Sequence, residues 1–206
     1  MKDWLYLKSV LAVDQVKNAK MCIPCPNWAH TQLAEGTAYE RGVYSNDNEY
    51  LDDLGNAVRS EILALYDAGC QYIQIDDPMV GMYCDYGFLE AQKAEGNTMD
   101  KLLDPVIYAH RVCSRDMPED LTLALHLCRG NLPKGIEVAV GPYDEIAPRL
   151  FRETHYKRFC LEWDDEEVTG SFSLLEHLPK DAVIVLGIVT TKDPVLEKLD
   201  FLQAKV

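Results

Sequence analysis

The sequence predicts an α/β fold in which parallel strands are covered by helices. Three observations predict it. Helix-like and strand-like segments alternate along the whole chain. Each of five strand-like runs is followed by a helix-like one. Polar or thiol-bearing residues fall at the C-terminal end of every strand, the edge where α/β proteins build their sites. The pattern suits both an open doubly wound sheet and a closed barrel. No Gly-x-Gly-x-x-Gly turn follows any strand, which weakens the nucleotide-binding doubly wound form.

Taken in order, residues 4–18 read as a helix with Leu5, Val10, Leu11 and Val16 as its apolar positions. A short strand at 21–24 is stopped by Pro24 and Pro26. The strongest helix covers 48–68. There Leu51, Leu54, Val58, Ile62 and Leu65 recur at spacings of three and four, and Gly69 is placed to stop it. A strand at 70–75 runs into Asp76-Asp77-Pro78. A helix at 99–114 precedes a strand at 121–127, and a helix at 143–156 precedes a strand at 158–162. A short helix at 172–177 leads to the strand 182–189, and a last helix starts near Pro194. No linker, repeat or low-complexity tract interrupts this order, so 1–206 reads as one domain or part of a larger one.

Composition narrows the function. Twenty basic against 34 acidic side chains give a formal net charge of -14. A phosphate-tracking protein needs the opposite sign, so nucleic acid is excluded as a partner, and an anionic membrane surface is disfavoured likewise. No apolar run is long enough to span a bilayer, and Met1-Lys2-Asp3-Trp4 opens no signal or transit segment. The cysteines number 7, an odd count in a chain far larger than a disulfide scaffold. Several lie in apolar runs. The reading is a reducing, cytoplasmic compartment with free thiols.

His126 and Cys128 carry the sharpest signal. Alternation on a strand points both to one face, where an imidazole and a thiolate can share a metal ion. Glu162, ending the next strand, can add a carboxylate. Such a donor set suits zinc, with one coordination position left open for catalysis. The competing interpretation has His126 and Cys128 buried and hydrogen-bonded, with Glu162 solvated. Cys22-x-x-Cys25 is a lone CxxC among prolines, either a thiol site or two buried cysteines. Asp76-Asp77 can bind a cation or a substrate amine, or can cap the following segment. Arg129 can clamp a carboxylate or pair with the surplus acid nearby. Trp28, Tyr83, Tyr86 and Trp163 are pocket candidates, while His30, His110, His155 and His177 show no partner pattern.

Several strings then match one family. They are Ile73-Gln74-Ile75-Asp76-Asp77-Pro78, Leu125-His126-Leu127-Cys128-Arg129-Gly130-Asn131, Cys160-Leu161-Glu162 and Leu186-Gly187-Ile188-Val189-Thr190-Thr191-Lys192. With Ile23-Pro24-Cys25-Pro26, they resemble the cobalamin-independent methionine synthases, in particular the C-terminal catalytic barrel and its shorter single-barrel relatives. The resemblance covers nearly the whole chain in the right order. It implies a (β/α) TIM-barrel type of fold, incomplete, with about five β/α units. It implies methyl transfer from a methyltetrahydrofolate-type donor to a small-molecule thiol such as homocysteine, the reaction of methionine biosynthesis. Zinc as cofactor would hold the acceptor as a thiolate. Position by position, His126, Cys128 and Glu162 match the zinc ligands, and Asp76 matches the carboxylate that receives the amino-acid ammonium group. Asp77 joins Asp76 as a catalytic candidate, and Arg129, Asn131 and Cys25 are substrate-contacting candidates.

The chain also departs from the family. The fourth zinc ligand is a cysteine in the last barrel strand, expected beyond Val206, and Cys25 or Cys84 are its candidate substitutes. The proton-donating histidine after the penultimate strand is replaced by Val189-Thr190-Thr191-Lys192. The family's first strands are expected before Met1. Five strands cannot close the barrel, so pairing with another chain, including a homo-oligomer, is one expected way to complete it. The alternatives to methyl transfer are an inactive or repurposed barrel acting as a binding or accessory protein, and another metal-assisted hydrolase or lyase reaction.

Overall fold

A computed structural model describes residues 1–28, 30, 38–40, 42–130, 136 and 138–205. Its centre is one five-stranded sheet in the order β1-β2-β3-β4-β5, with every neighbouring pair parallel. The strands are β1 (Met21–Pro24), β2 (Tyr72–Asp76), β3 (Thr122–Leu127), β4 (Arg158–Glu162) and β5 (Val183–Gly187). Sequence order equals spatial order, the connectivity of a barrel wall rather than of a doubly wound sheet, which reverses direction at a switch point. The α/β reading and the five strands are therefore confirmed.

Helices fill the connections. They are α1 (Lys2–Val10), α2 (Asp47–Asp67), α3 (Pro78–Gly81), α4 (Tyr86–Ala94), α5 (Met99–Ser114), α6 (Ala147–Glu153), α7 (Glu166–Thr169) and α8 (Leu199–Ala204). The Asn46 side chain caps α2 by accepting from the Glu49 amide at 3.1 Å. Gly69, at φ +97°, ends the same helix in the left-handed conformation that a C-terminal stop requires. Four sequence expectations need correction. The 143–156 helix is a 3-10 turn, Tyr143–Glu145, followed by the short α6, and the last helix begins at Leu199 rather than near Pro194. The 4–18 helix is shorter: α1 ends at Val10, and only a 3-10 turn, Val16–Asn18, follows. The 172–177 segment is likewise a 3-10 turn. The sequence shows no period for α3 and α4, because Pro78 and the glycines Gly81 and Gly87 interrupt it.

Strand alternation divides the sheet into two unlike faces. Ile73, Ile75, Leu123, Leu125, Leu127, Phe159 and Leu161 are buried in the main apolar core with the helices. The opposite face carries Gln74 and Asp76 of β2, His126 of β3, Cys160 and Glu162 of β4, and Val183 and Val185 of β5. Register brings Asp76, His126, Cys160 and Val185 into one row across four strands. Val183 and Val185 are 48% and 41% exposed, so the apolar rim of this second face lies open. All seven cysteines are free thiols, as expected.

Candidate metal and substrate site

The C-terminal ends of β3, β4 and β5 line an open cavity of about 280 Å³. His126, Cys128, Cys160, Glu162, Asp164 and Lys192 contribute to its wall. Backbone hydrogen bonds continue the ladder past the strand ends. The Asp77 amide donates to the His126 carbonyl, and the Trp163 amide donates to the Gly187 carbonyl, both at 2.9 Å. The side chains thus project from a held edge.

On one side of the cavity a polar chain crosses the strands. Lys20 Nζ donates to Gln74 Oε1 at 2.7 Å, and Gln74 Nε2 donates to Asp76 Oδ1 at 2.6 Å. The same Asp76 oxygen lies 3.0 Å from His126 Nδ1. Burial alone would raise the Asp76 carboxyl, but the hydrogen bonds from His126 and Gln74 outweigh it and hold it below its ordinary range. Binding Nδ1 to a carboxylate fixes the ring and leaves Nε2 as the atom for a ligand, the arrangement that orients metal-binding histidines. The Cys128 thiol is pushed up, first by burial and then by the charges of Glu162, Asp76 and Asp77. Without a cation beside it, this sulfur stays protonated.

On the other side, Glu162 has both oxygens engaged. Oε2 accepts from the Arg129 amide at 3.1 Å, and Oε1 forms an ion pair with Lys192. Lys192 Nζ also lies 3.0 Å from Asp164 Oδ2. Burial raises the Asp164 carboxyl, and hydrogen bonds from Thr190 and Lys192 bring it below its ordinary value.

Other sequence candidates are placed elsewhere. Asp77 is wholly buried on the helix side. Its Oδ1 caps α3 by accepting from the Met79 and Val80 amides at 2.9 and 3.1 Å, and its Oδ2 lies 2.8 Å from His110 Nε2. Arg129 is 1% exposed; its guanidinium lies 4.6 Å from the Tyr143 ring and donates to the Gly141 carbonyl. Only its backbone amide reaches the site. Cys25 and Cys84 are buried and line no part of the cavity; burial pushes the Cys84 thiol up to about 12 and Cys25 further still. Asn131 lies outside the described residues. Trp163 is buried and stacked on Phe172.

Gln74, Cys160 and Lys192 stand in the matched strings, but the sequence assigns no site role to them or to Asp164. Period-2 alternation places Gln74 with Asp76 and Cys160 with Glu162, so that signal was present. Nothing local announces that Lys192, on the loop after β5, turns back onto β4. His110, read as ordinary, is the buried partner of Asp77.

The family model for the cobalamin-independent synthase catalytic domain matches residues 38–147, more than half of the chain. The chain belongs to this family. Among curated relatives, the uncharacterized Bacillus subtilis proteins YxjH and YxjG are 33% and 32% identical to it. The matches cover 91% and 100% of this chain but only 48% and 53% of the relatives. The chain thus spans about half the length of the curated relatives it matches. A solved structure from Listeria monocytogenes, assigned as a vitamin-B12-independent methionine synthase, superposes with a TM-score of 0.75 at 25% identity. It covers 99% of this chain and 55% of its own. A B12-independent methionine synthase from Shewanella sp. W3-18-1, in complex with selenomethionine, superposes at 0.63 with 16% identity, over 96% of this chain and 51% of its own. These likenesses identify the sheet as part of a methionine-synthase-like barrel.

The family implies zinc, and the donor chemistry fits it. A nitrogen, a sulfur and an oxygen from neighbouring strands line one cavity, and the imidazole is oriented by a carboxylate. Yet among the described residues no three such side chains converge on one point.

Proposed function

We propose that the chain is the metal-binding, thiol-accepting part of a methyltransferase of the cobalamin-independent methionine synthase type. It would act as one partial (β/α) barrel domain over 1–206. His126, Cys128 and Glu162 would hold zinc, which when bound keeps an acceptor thiol as thiolate. The observation that carries this reading is the placement of those three side chains on a single cavity at the strand C-terminal edge of a family member. Asp76 orients His126, and its depressed carboxyl stays ionised and able to receive the ammonium group of an amino-acid thiol such as homocysteine. Lys20 and Gln74 hold Asp76 in that state from the far side of the row. Arg129 contributes its amide to Glu162, and its guanidinium packs on the Tyr143 ring and donates to the Gly141 carbonyl. The methyl donor would be of the methyltetrahydrofolate type, and the compartment cytoplasmic. No helix among the described residues is long and apolar enough to cross a membrane.

Elemental analysis of the purified chain is the first test, followed by mass-spectrometric detection of methyl transfer from methyltetrahydrofolate to homocysteine. One zinc per chain is expected, lost in His126→Ala and in Cys128→Ser without change in circular dichroism. Zinc retained at full stoichiometry in both variants would sink the assignment. The failure of the donors to converge favours a second reading, a barrel segment that binds a partner without metal chemistry; it requires no zinc in the folded wild type.

A further inference from the structure

Lys192 already neutralises Glu162, and it does so from inside the cavity. Its ammonium bridges Glu162 Oε1 and Asp164 Oδ2, with the lysine side chain only 12% exposed. Its backbone is fixed separately from that contact. The Lys192 amide donates to Thr190 Oγ1 at 3.1 Å, and the Thr190 amide donates to Glu197 Oε1 at 2.7 Å. The loop can therefore stay in place while the side chain alone moves. Glu162 is pinned from behind by the Arg129 amide on Oε2. Release of Oε1 therefore leaves a carboxylate that is still oriented, on the same cavity wall as His126 and Cys128.

We propose that Lys192 is a tethered cation seated on the carboxylate side of the metal position, and that a divalent ion binds only by displacing it from Glu162. The proposal deepens the metal reading above and rests on it. One carboxylate oxygen cannot serve an ammonium and a divalent ion at close range together, because the two cations repel in a half-buried site. Removing the ammonium should therefore strengthen metal binding, the reverse of what a supporting side chain would do. A displaced Lys192 would still be held near Asp164, a second resting place for its charge.

The experiment is a zinc titration against a chromophoric chelator. A parallel cobalt titration reads the thiolate-to-metal absorption of Cys128. Wild type, Lys192→Met, Lys192→Arg and His126→Ala/Lys192→Met are compared, each checked by thermal melting. Lys192→Met should bind zinc at least about tenfold more tightly than wild type, equivalent to about 1.4 kcal/mol. Lys192→Arg should match wild type, and the gain should vanish in the double variant. If the methionine variant does not fold, Lys192→Gln makes the same comparison. Equal affinity in wild type and Lys192→Met, with zinc still lost in His126→Ala, would overturn the displacement and leave the metal reading standing. A gain that survives in the double variant would mean only that negative charge attracts cations, and would also overturn it. Absence of zinc from every variant would remove the metal reading and this proposal together.

Discussion

Asp76 and Asp77 are adjacent in the chain and have opposite surroundings. Asp76 lies on the open face of the sheet, 38% exposed by its side chain, in contact with His126 at 36%. Asp77 is fully buried on the helix side with His110, also fully buried. Both make a carboxylate–imidazole pair, and only one of them is at the cavity. The half-turn of a strand between successive side chains is enough to assign one pair to site chemistry and the other to holding the fold. Asp77 ties three elements at that edge: it follows β2, caps α3 and anchors α5 through His110. The chain continues through Tyr156, whose hydroxyl is 2.6 Å from His110 Nδ1. The buried pair is thus the frame on which the exposed pair stands.

Removing Asp77 should break this contrast most severely. Asp77→Ala leaves a buried imidazole without its counter-charge and uncaps α3, and should lower stability by about 3–5 kcal/mol in urea denaturation. A change under about 1 kcal/mol would show that the pair adds nothing to the frame. The same pair makes stability depend on pH. Burial pushes the His110 imidazole down, but its hydrogen bonds to Asp77 and Cys113 prevail and bring it to about 9. An imidazole in the unfolded chain loses its proton near 6.5. The stabilisation from His110 is therefore whole below about 6.5 and is lost as pH rises through about 9. Asp77, depressed below its ordinary 3.8 because His110 outweighs burial, contributes above that value and is lost on acidification. Melting curves from pH 6 to 9.5 should fall more steeply for wild type than for His110→Gln. Parallel curves would contradict the assignment.

A smaller effect is expected where the frame meets the site. A Cβ on Gly81 would collide with the Cys128 carbonyl oxygen, so the α3 backbone packs directly on the His126-x-Cys128 segment. Gly81→Ala should cost about 1–3 kcal/mol by overpacking. Because the collision falls on that segment, it should also weaken zinc binding. A stable variant with unchanged zinc affinity would show that α3 does not position Cys128.

How much of this was legible beforehand follows from the kind of signal each residue carries. The five strands and the His126-x-Cys128 face follow from local periods, which sequence displays directly, whereas the strand order follows only from the family resemblance. For the acidic pair Asp76-Asp77 the sequence offers two roles, a binding group or a cap for the following segment. Alternation alone says that they part, but not which face becomes the core. Ile73 and Ile75, both buried, settle it by sharing the odd-numbered face with Asp77. Arg129 read as a substrate clamp because a lone arginine among site residues invites that role. Its burial against Tyr143 depends on a ring fourteen positions away. The pairings of Lys192 and His110 are illegible for the same reason, since each meets its partner only through long-range folding.

The smallest expected stability effect sharpens the comparison from the opposite side. Asp76→Asn keeps the shape of the side chain and removes its charge from a pair that solvent already reaches. Exposed ion pairs contribute about 0–1 kcal/mol, so the denaturation midpoint should move little. The site should respond far more. A neutral amide cannot hold Nδ1–H as a carboxylate does, so Nε2 loses its fixed orientation toward the cavity. The partner carboxylate of a metal-binding histidine typically changes metal affinity by about 10–100-fold when altered. Asp76→Asn should therefore weaken zinc binding within that range at nearly unchanged stability, while Asp77→Asn should do the reverse. If both variants moved stability and affinity together, the two faces of the sheet would not be separable in function, and the division drawn from their burial would fail.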